Sequence, residues 1–415
     1  MAGDPRERSP RLLVLGAGPG QLGLLEAAKA AGVWTAVADR DPAAPGFRLA
    51  DRRCIVSTED EPAIDRLASA LELDGIIAPG TDWPVAVAAR VAERQGLPHP
   101  ISPATAMLAT NKLRQREALD AAGVPQPRWQ AVSAAAEVEL VPPLVVKAPD
   151  RQGQKGLSLV RSPDELEAAV AAAQAAARGG LAIVEELIEG PEVTVNGFWV
   201  DGAFTALAVT DRVVAEPPAF GVALAHVYPW TGRVMDIDMD MAMAMHVTLA
   251  SIVDVARRAA SALGIEHGPT YTQLRMSSHG GPVVMELAAR LGGGHDAELV
   301  LAATGVPLND LAISAAVGAD VSVPPPREPA RAAVTRFLVA PPGVLESVDV
   351  PADLVGIERV RIYREPGFVF TPLRRGADRA GAVLAVADTR DEAVARAEAA
   401  AERIRFVTAD AGALV

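Results

Sequence analysis

Between Arg11 and about Leu97, short apolar runs alternate with helical stretches, and nothing else in the chain restricts its fold as strongly. Arg11-Leu-Leu-Val-Leu15 reads as a buried strand, Gly16-Ala-Gly-Pro-Gly20 as a turn, and Gln21 to Ala31 as a helix closed by Gly32. Val33 to Ala38, Arg53 to Ser57 and Gly75 to Pro79 read as further strands, with a helix from about Pro62 to Leu71. Strands alternating with helices build a parallel sheet with helices on both faces. The glycine turn sets backbone amides and a helix N-terminus where an anion can approach. With Asp39 ending the second strand it is also a weak dinucleotide fingerprint, for which tight strand-to-helix packing is the plainer account.

At 415 residues the chain exceeds one compact core, so several domains are expected. Leu97 to Pro103 is a proline-containing link, and the pattern then changes. Thr110 to Ala122 reads as a helix stopped by Gly123, and Leu144 to Ala148 as a strand. A polar loop runs to Gly156, followed by a strand from Leu157 to Val160. Ser162-Pro-Asp-Glu165 spells a capping box for the next helix. Leu181 to Glu185, Val193 to Val200 and Ala203 to Thr210 are strands, the last two joined by the hairpin signal Asp201-Gly202. A long helix is expected from about Met239 to Leu263, the Met235 to Met245 run being helix packing. A second hairpin pairs Tyr271 to Met276 with Pro282 to Leu287. Pro324 to Pro329 is a linker, and Thr389 with Glu392 caps a final helix.

Charge and cysteine content narrow the functions. Acidic residues outnumber basic ones, 52 to 39, so a nucleic-acid partner is not expected. The single cysteine, Cys54, rules out a disulfide within the chain and suits a reducing cytoplasm. No apolar run is long enough to span a membrane. Residues 1–10 are charged and lack an apolar core, so they read as a disordered lead-in and not as a secretory signal.

The chemistry lies in an ordered set of motifs. Asn111-Lys112 opens a helix, Val145-Val146-Lys147 ends a strand, and Gln152-Gly153-Gln154-Lys155-Gly156 forms a loop. Then come Val184-Glu185-Glu186-Leu187-Ile188, Glu192, and Glu286-Leu-Ala-Ala-Arg290-Leu-Gly292-Gly293-Gly294. Each piece is common by itself, and a lone lysine or glutamate is usually a solvated surface charge. Their order and spacing carry the weight. With this set the chain resembles the ATP-grasp superfamily from Arg11 to about Phe406. Within it, the chain is most similar to carboxylate–amine ligases of the L-amino-acid-ligase and carnosine-synthase type.

The resemblance implies an α/β and α+β multidomain protein with the ATP-grasp fold. After the lead-in, residues 11–110 would form an open parallel-sheet (pre-ATP-grasp) domain. Residues 111–190 would form a small lid and 191–322 the large subdomain, and a C-terminal α+β domain would span 330–415. ATP would lie between two antiparallel sheets. Lys112 and Lys147 would meet its phosphates as point charges, and Gly153, Lys155 and Gly156 would close over them. Glu185, Glu186, Leu187 and Ile188 would hold the adenine and Glu192 the ribose.

Magnesium, or manganese, bridging the phosphates would take hard oxygen ligands from Glu286 and Gln273. The resemblance is imperfect here. Gln273 stands where the family has a carboxylate, and Ala288 where it often has asparagine. Arg290 would neutralise the transferring phosphoryl group. His226 would face the amine, with Tyr228, Gly292, Gly293, Gly294 and His295 around the substrates. The implied reaction joins a small-molecule carboxylate to an amine through an acyl phosphate, in a cytoplasmic homodimer. Three alternatives stay open: bicarbonate activation of the purine-synthesis kind, an ATP-binding protein with impaired catalysis, and a nicotinamide enzyme read from the first glycine turn.

Overall fold

The computed structural model describes residues 8–232, 247–277 and 281–409. Strands β1 (Arg11–Leu15), β2 (Trp34–Asp39), β3 (Arg52–Ile55) and β4 (Gly75–Ile77) form a parallel sheet in the order β3-β2-β1-β4. Helices α1 (Leu22–Ala30), α2 (Glu61–Ala70) and α3 (Asp82–Gln95) connect and cover it, as the alternation requires. The sequence reading passed over α3 and the short α4 (Pro103–Ala109), which fills the proline-containing link. Ser102 caps α4 by accepting the Thr105 amide at 3.1 Å, and Pro103 suits its first turn, where the missing N–H costs nothing.

Helix α5 (Lys112–Ala121) leads into a four-stranded antiparallel sheet of β5 (Trp129–Val132), β6 (Leu144–Lys147), β7 (Ser158–Val160) and β8 (Ala182–Glu186), ordered β5-β8-β6-β7. Strand alternation gives this sheet two different faces. Leu144, Val146 and Val184 are fully buried and pack beneath α6 (Leu166–Ala176) with Ala169, Val170 and Ala173. Val145, Lys147 and Glu185 point the other way, toward the rest of the molecule. The capping box expected at Ser162 does not form. Pro163–Glu165 makes a 3-10 turn, α6 starts only at Leu166, and the Glu165 carboxylate accepts the Arg161 amide at 2.7 Å.

The third unit is an eight-stranded antiparallel sheet. It contains β9 (Glu192–Val200), β10 (Ala203–Val214), β11 (Ala223–Tyr228), β12 (Gly268–Ser277) and β13 (Gly281–Ala288). It continues across the proline-rich segment into β14 (Ala332–Leu338), β16 (Ile357–Ile362) and β18 (Gly381–Ala387). A small sheet of β15 (Gly343–Asp349), β17 (Val369–Phe370) and β19 (Arg405–Ala409) lies beside it. Both expected hairpins, β9–β10 and β12–β13, are present. Helix α7 spans Leu249–Ala262, capped by Thr248. The expected start at Met239 and the whole Met235 to Met245 run fall on residues outside those described, as do most of the lead-in and the β12–β13 turn. Helices α8 (Asp296–Thr304), α9 (Leu308–Ala316) and α10 (Arg390–Arg403) complete the order. Val193, Val195, Leu274, Val284 and Leu287 on one sheet face share a core with Ile252, Val255 and Ala259 of α7. The opposite face is polar and builds the site.

Candidate active site

Register places the polar face residue by residue. Glu192 on β9 stands opposite Arg275 on β12 and Arg212 on β10, and Arg212 stands opposite His226 on β11. Two residues along, Gln273 faces Glu286 across β12–β13, and Tyr271 faces Ala288. Period-2 alternation therefore puts Tyr271, Gln273, Arg275, Glu192, Arg212, His226 and Glu286 on a single face. This face meets the polar face of the four-stranded sheet around a cavity of about 470 Å³.

The cavity is an array of ion pairs. On the lid, Lys147 and Glu185 are diagonal neighbours on one face, and Lys147 Nζ lies 2.8 Å from Glu185 Oε2. Arg116 of α5 reaches the other carboxylate oxygen through Nε at 2.8 Å and donates to the carbonyls of Val284 and Met285. Glu185 is 0% exposed and Arg116 2%. Burial lowers the Lys147 pKa to about 8 despite Glu185, with the Arg116 and Lys112 charges adding to the effect. Lys112 Nζ lies 2.9 Å from Glu286 Oε1. Burial pulls the Lys112 pKa down, but Glu286 and Asp82 more than offset it and leave it raised. Burial opposes ionisation of Glu286, yet Lys112 holds that carboxylate well below its ordinary range.

Arg290, just beyond β13, donates through Nε to Asp82 Oδ1 at 2.7 Å and through a terminal nitrogen to the Leu291 carbonyl at 2.8 Å. Asp82 begins α3, so the parallel-sheet unit anchors the arginine of the large sheet. The Asp82 amide in turn donates to the Gln152 side chain, which ties the glycine-containing loop to the same point. Glu192 is held between Arg212 and Arg275, the latter at 2.5 Å. His226 is 2% exposed, with Nδ1 3.8 Å from Asp296 Oδ1. Burial, reinforced by Arg212 and Arg379, depresses its pKa to about 4, so its ring is neutral at neutral pH.

Among the residues the sequence singled out, Lys112, Lys147, Gly153, Lys155, Glu185, Leu187, Ile188, Glu192, His226, Gln273, Glu286, Arg290, Gly293 and Gly294 line the cavity. Others lie off it. Glu186 pairs with Arg128 at 2.7 Å on a more exposed edge. Gly156, at φ +69°, packs against α6, where a Cβ would come within 2.7 Å of the Ala176 side chain. Gly292 fits against Asp296, and Tyr228 packs among the apolar residues beneath the sheet. Both His295 ring nitrogens are engaged behind the wall, by Tyr363 at 2.6 Å and Glu298 at 3.1 Å. The sequence reading did not single out Asp82, Arg116, Arg212, Arg275, Tyr271 or Arg379. The alternation in Glu192-Val-Thr-Val-Asn196 and Tyr271-Thr-Gln-Leu-Arg275 signals a polar strand face. Arg116 and Asp82 give no such local signal.

Two family models match: the ATP-grasp domain over residues 140–298, and L-amino acid ligase C-terminal domain 2 over residues 336–409. Together they cover most of the lid and most of the large sheet. The chain belongs to the ATP-grasp ligase family. Members of this family form carbon–nitrogen bonds and use ATP and Mg²⁺. The chain is 31% identical over 358 residues to an uncharacterized protein, y4rH, of Sinorhizobium fredii, which covers 82% of this chain and 69% of that one. It is 35% identical over 150 residues to a D-alanine–D-alanine ligase of Marinobacter nauticus, covering 34% of this chain and 43% of that enzyme. The L-amino acid ligase of Bacillus licheniformis superposes with a TM-score of 0.79 at 22% identity, covering 97% and 100% of the two chains, a likeness of fold. No helix among the described residues is long and apolar enough to cross a membrane.

The residues present suit Mg–ATP. Clustered cations and a glycine-containing loop complement a polyphosphate. Glu286 and its cross-strand partner Gln273 offer hard oxygens. Among the described residues no group of three or more acidic, histidine or cysteine side chains is poised to cage a metal ion. The donor set therefore fits an ion that keeps water and phosphate oxygens as most of its ligands, as Mg²⁺ does.

Proposed function

We propose that this protein joins a carboxylate to an amine through an acyl phosphate, releasing ADP and phosphate, with an amino acid among its substrates. The observation that carries this reading is the convergence of Lys112, Lys147 and Arg290 around Glu286, each preset by a carboxylate partner. Such preset charges need little reorganisation when negative charge moves along a phosphoryl chain.

In this scheme Lys112, Lys147 and the loop at Gly153–Lys155 bind the phosphates. The adenine lies against Leu187 and Ile188. Glu185 acts chiefly by fixing Lys147, and Glu192 fixes Arg212 and Arg275 beneath the ribose. Glu286 and Gln273 would hold a magnesium ion, which when bound withdraws charge from the phosphate oxygens. A substrate carboxylate oxygen attacks the γ-phosphorus, the bond to the β-phosphate oxygen breaks, and Arg290 neutralises the charge on the transferred group. The amine then attacks the acyl carbon, phosphate leaves, and the ammonium proton is lost. That proton passes to water, and neutral His226 orients the amine by accepting a hydrogen bond from it.

The test is nucleotide product analysis with Mg–ATP, pooled L-amino acids and small amines. Substrate-dependent ADP and phosphate are expected. AMP and pyrophosphate, or turnover that depends on bicarbonate instead of an amine, would overturn the reading.

A further inference from the structure

Among the described residues four carboxylates line the cavity, and each is already matched: Glu185 by Lys147, Glu192 by Arg212 and Arg275, Glu286 by Lys112, and Asp82 by Arg290. Arg379 is different. It lies in the turn before β18, contributed by the C-terminal part of the chain, and its guanidinium stacks 3.7 Å from the centroid of the Phe337 ring. It donates to the carbonyls of Gly376 at 2.7 Å and Ala223 at 3.4 Å. Among the described residues no carboxylate is within ion-pair distance of it. A guanidinium stacked on an aromatic ring and held by carbonyls presents its remaining N–H groups in a fixed plane, suited to a carboxylate.

Its charged and titratable neighbours differ from those around Glu286. Glu286 feels Lys112, Lys147 and Arg290, whereas Arg379 feels Tyr363, Arg212, Asp296 and Tyr271. His226 stands edge-on to both Phe337 and Tyr271, at 6.0 and 6.5 Å between ring centroids. This end of the cavity is thus an aromatic-walled recess with a neutral imidazole and an arginine lacking an anionic partner. The turn is also latched to the loop over the phosphates, since the Gly376 amide donates to Gln154 Oε1 at 3.1 Å.

We propose that Arg379 is the receptor for a carboxylate on the amine substrate, one that is not activated and survives in the product. Resting on the ligase reading above, this makes the amine substrate an amino acid and the product an amide that keeps a free carboxylate. The activated carboxylate belongs at the Lys112–Arg290 end. A second carboxylate, bound at Arg379, would bring its amino group past His226 toward the acyl carbon.

The test is a binding titration, so its outcome does not depend on turnover. The full chain, saturated with Mg–ADP, is titrated with L-amino acids and with the same compounds as C-terminal amides, followed by tryptophan fluorescence. At least one amino acid is expected to bind about 10- to 100-fold more tightly than its amide, the discrimination a charge-assisted bidentate contact supplies. Arg379→Gln should erase that preference while leaving Mg–ADP affinity within about twofold, and Arg379→Lys should keep part of it. Retention of Mg–ADP binding also reports that each variant is folded. The proposal is overturned if wild type fails to distinguish any acid from its amide, or if Arg379→Gln keeps the preference. It is equally overturned if Arg379→Gln loses Mg–ADP affinity to the same extent, because Arg379 would then serve the nucleotide. Failure of the ligase reading shows separately, as no substrate-dependent ADP from the same compounds.

Discussion

Replacing Glu185 with glutamine keeps the shape of the side chain and removes the charge shared by Arg116 and Lys147. Both contacts are 2.8 Å, and the carboxylate is fully buried. At that distance each pair has a gross attraction of about 6 kcal/mol at an effective dielectric constant of 20, before desolvation is subtracted. Removing one partner of a buried pair typically costs about 3–5 kcal/mol, because the remaining charge is stranded. The glutamine oxygen still accepts one hydrogen bond, so the expected loss is at the lower end, about 3 kcal/mol. If the chain melts as one unit, the melting temperature falls by roughly 3–4 °C, because an unfolding entropy of about 2.1 cal/mol/K per residue is spread over the whole chain. Loss of Glu185 also takes away the interaction that most raises the Lys147 pKa, which then drops below its present value of about 8. Lys147 would be largely neutral at pH 8, and Mg–ADP affinity should weaken about tenfold or more. Differential scanning fluorimetry, urea unfolding and nucleotide titration at pH 8 measure these effects. The double variant Arg116→Met, Glu185→Gln should regain part of the stability, since one stranded cation is gone. Unchanged melting together with unchanged nucleotide affinity in Glu185→Gln would refute the reasoning.

Other consequences follow from the same charges. Arg290→Ala should lower kcat by about 10²–10³-fold, and it should also lower the melting temperature, because the Asp82 carboxylate loses its partner. Asp82→Asn, which loosens the arginine without removing it, should lower kcat less; equal loss in both variants would argue against Asp82 as a positioning residue. The Lys147 pKa of about 8 sets a pH dependence. The lysine is protonated below that value, so Mg–ADP affinity should fall about tenfold between pH 7 and pH 9, and a flat profile would contradict the phosphate role. The sign for stability is opposite. Because the folded pKa lies below the unfolded one, this group costs stability below about pH 8, and the cost shrinks as pH rises further. Gln273→Glu would add a carboxylate opposite Glu286 and should lower the Mg²⁺ concentration needed for half-maximal turnover; no change would remove Gln273 from the metal site.

Local sequence determined much of the fold. The alternation of Leu12 to Leu15 and Ala36 to Ala38 with helical segments fixed a parallel sheet, because strands buried on both faces need helices over each. Asp201-Gly202 fixed a hairpin, and Lys147 at the end of an apolar strand, followed by glycines, marked a loop that lines the cavity. Those signals lie within a few residues of one another, and backbone geometry converts them directly into structure. The capping box at Ser162 shows the limit, because a 3-10 turn at Pro163 moved Glu165 out of the position where it could close the box. Tertiary structure alone decided which charges meet. Asp82 and Arg290 are 208 residues apart, Arg116 and Glu185 are 69 apart, and Arg379 reaches the cavity from a turn beyond the proline-rich segment. No periodicity records such pairings. A buried charge is tolerated only where a distant partner compensates it, and that partner is set by packing and not by the local sequence.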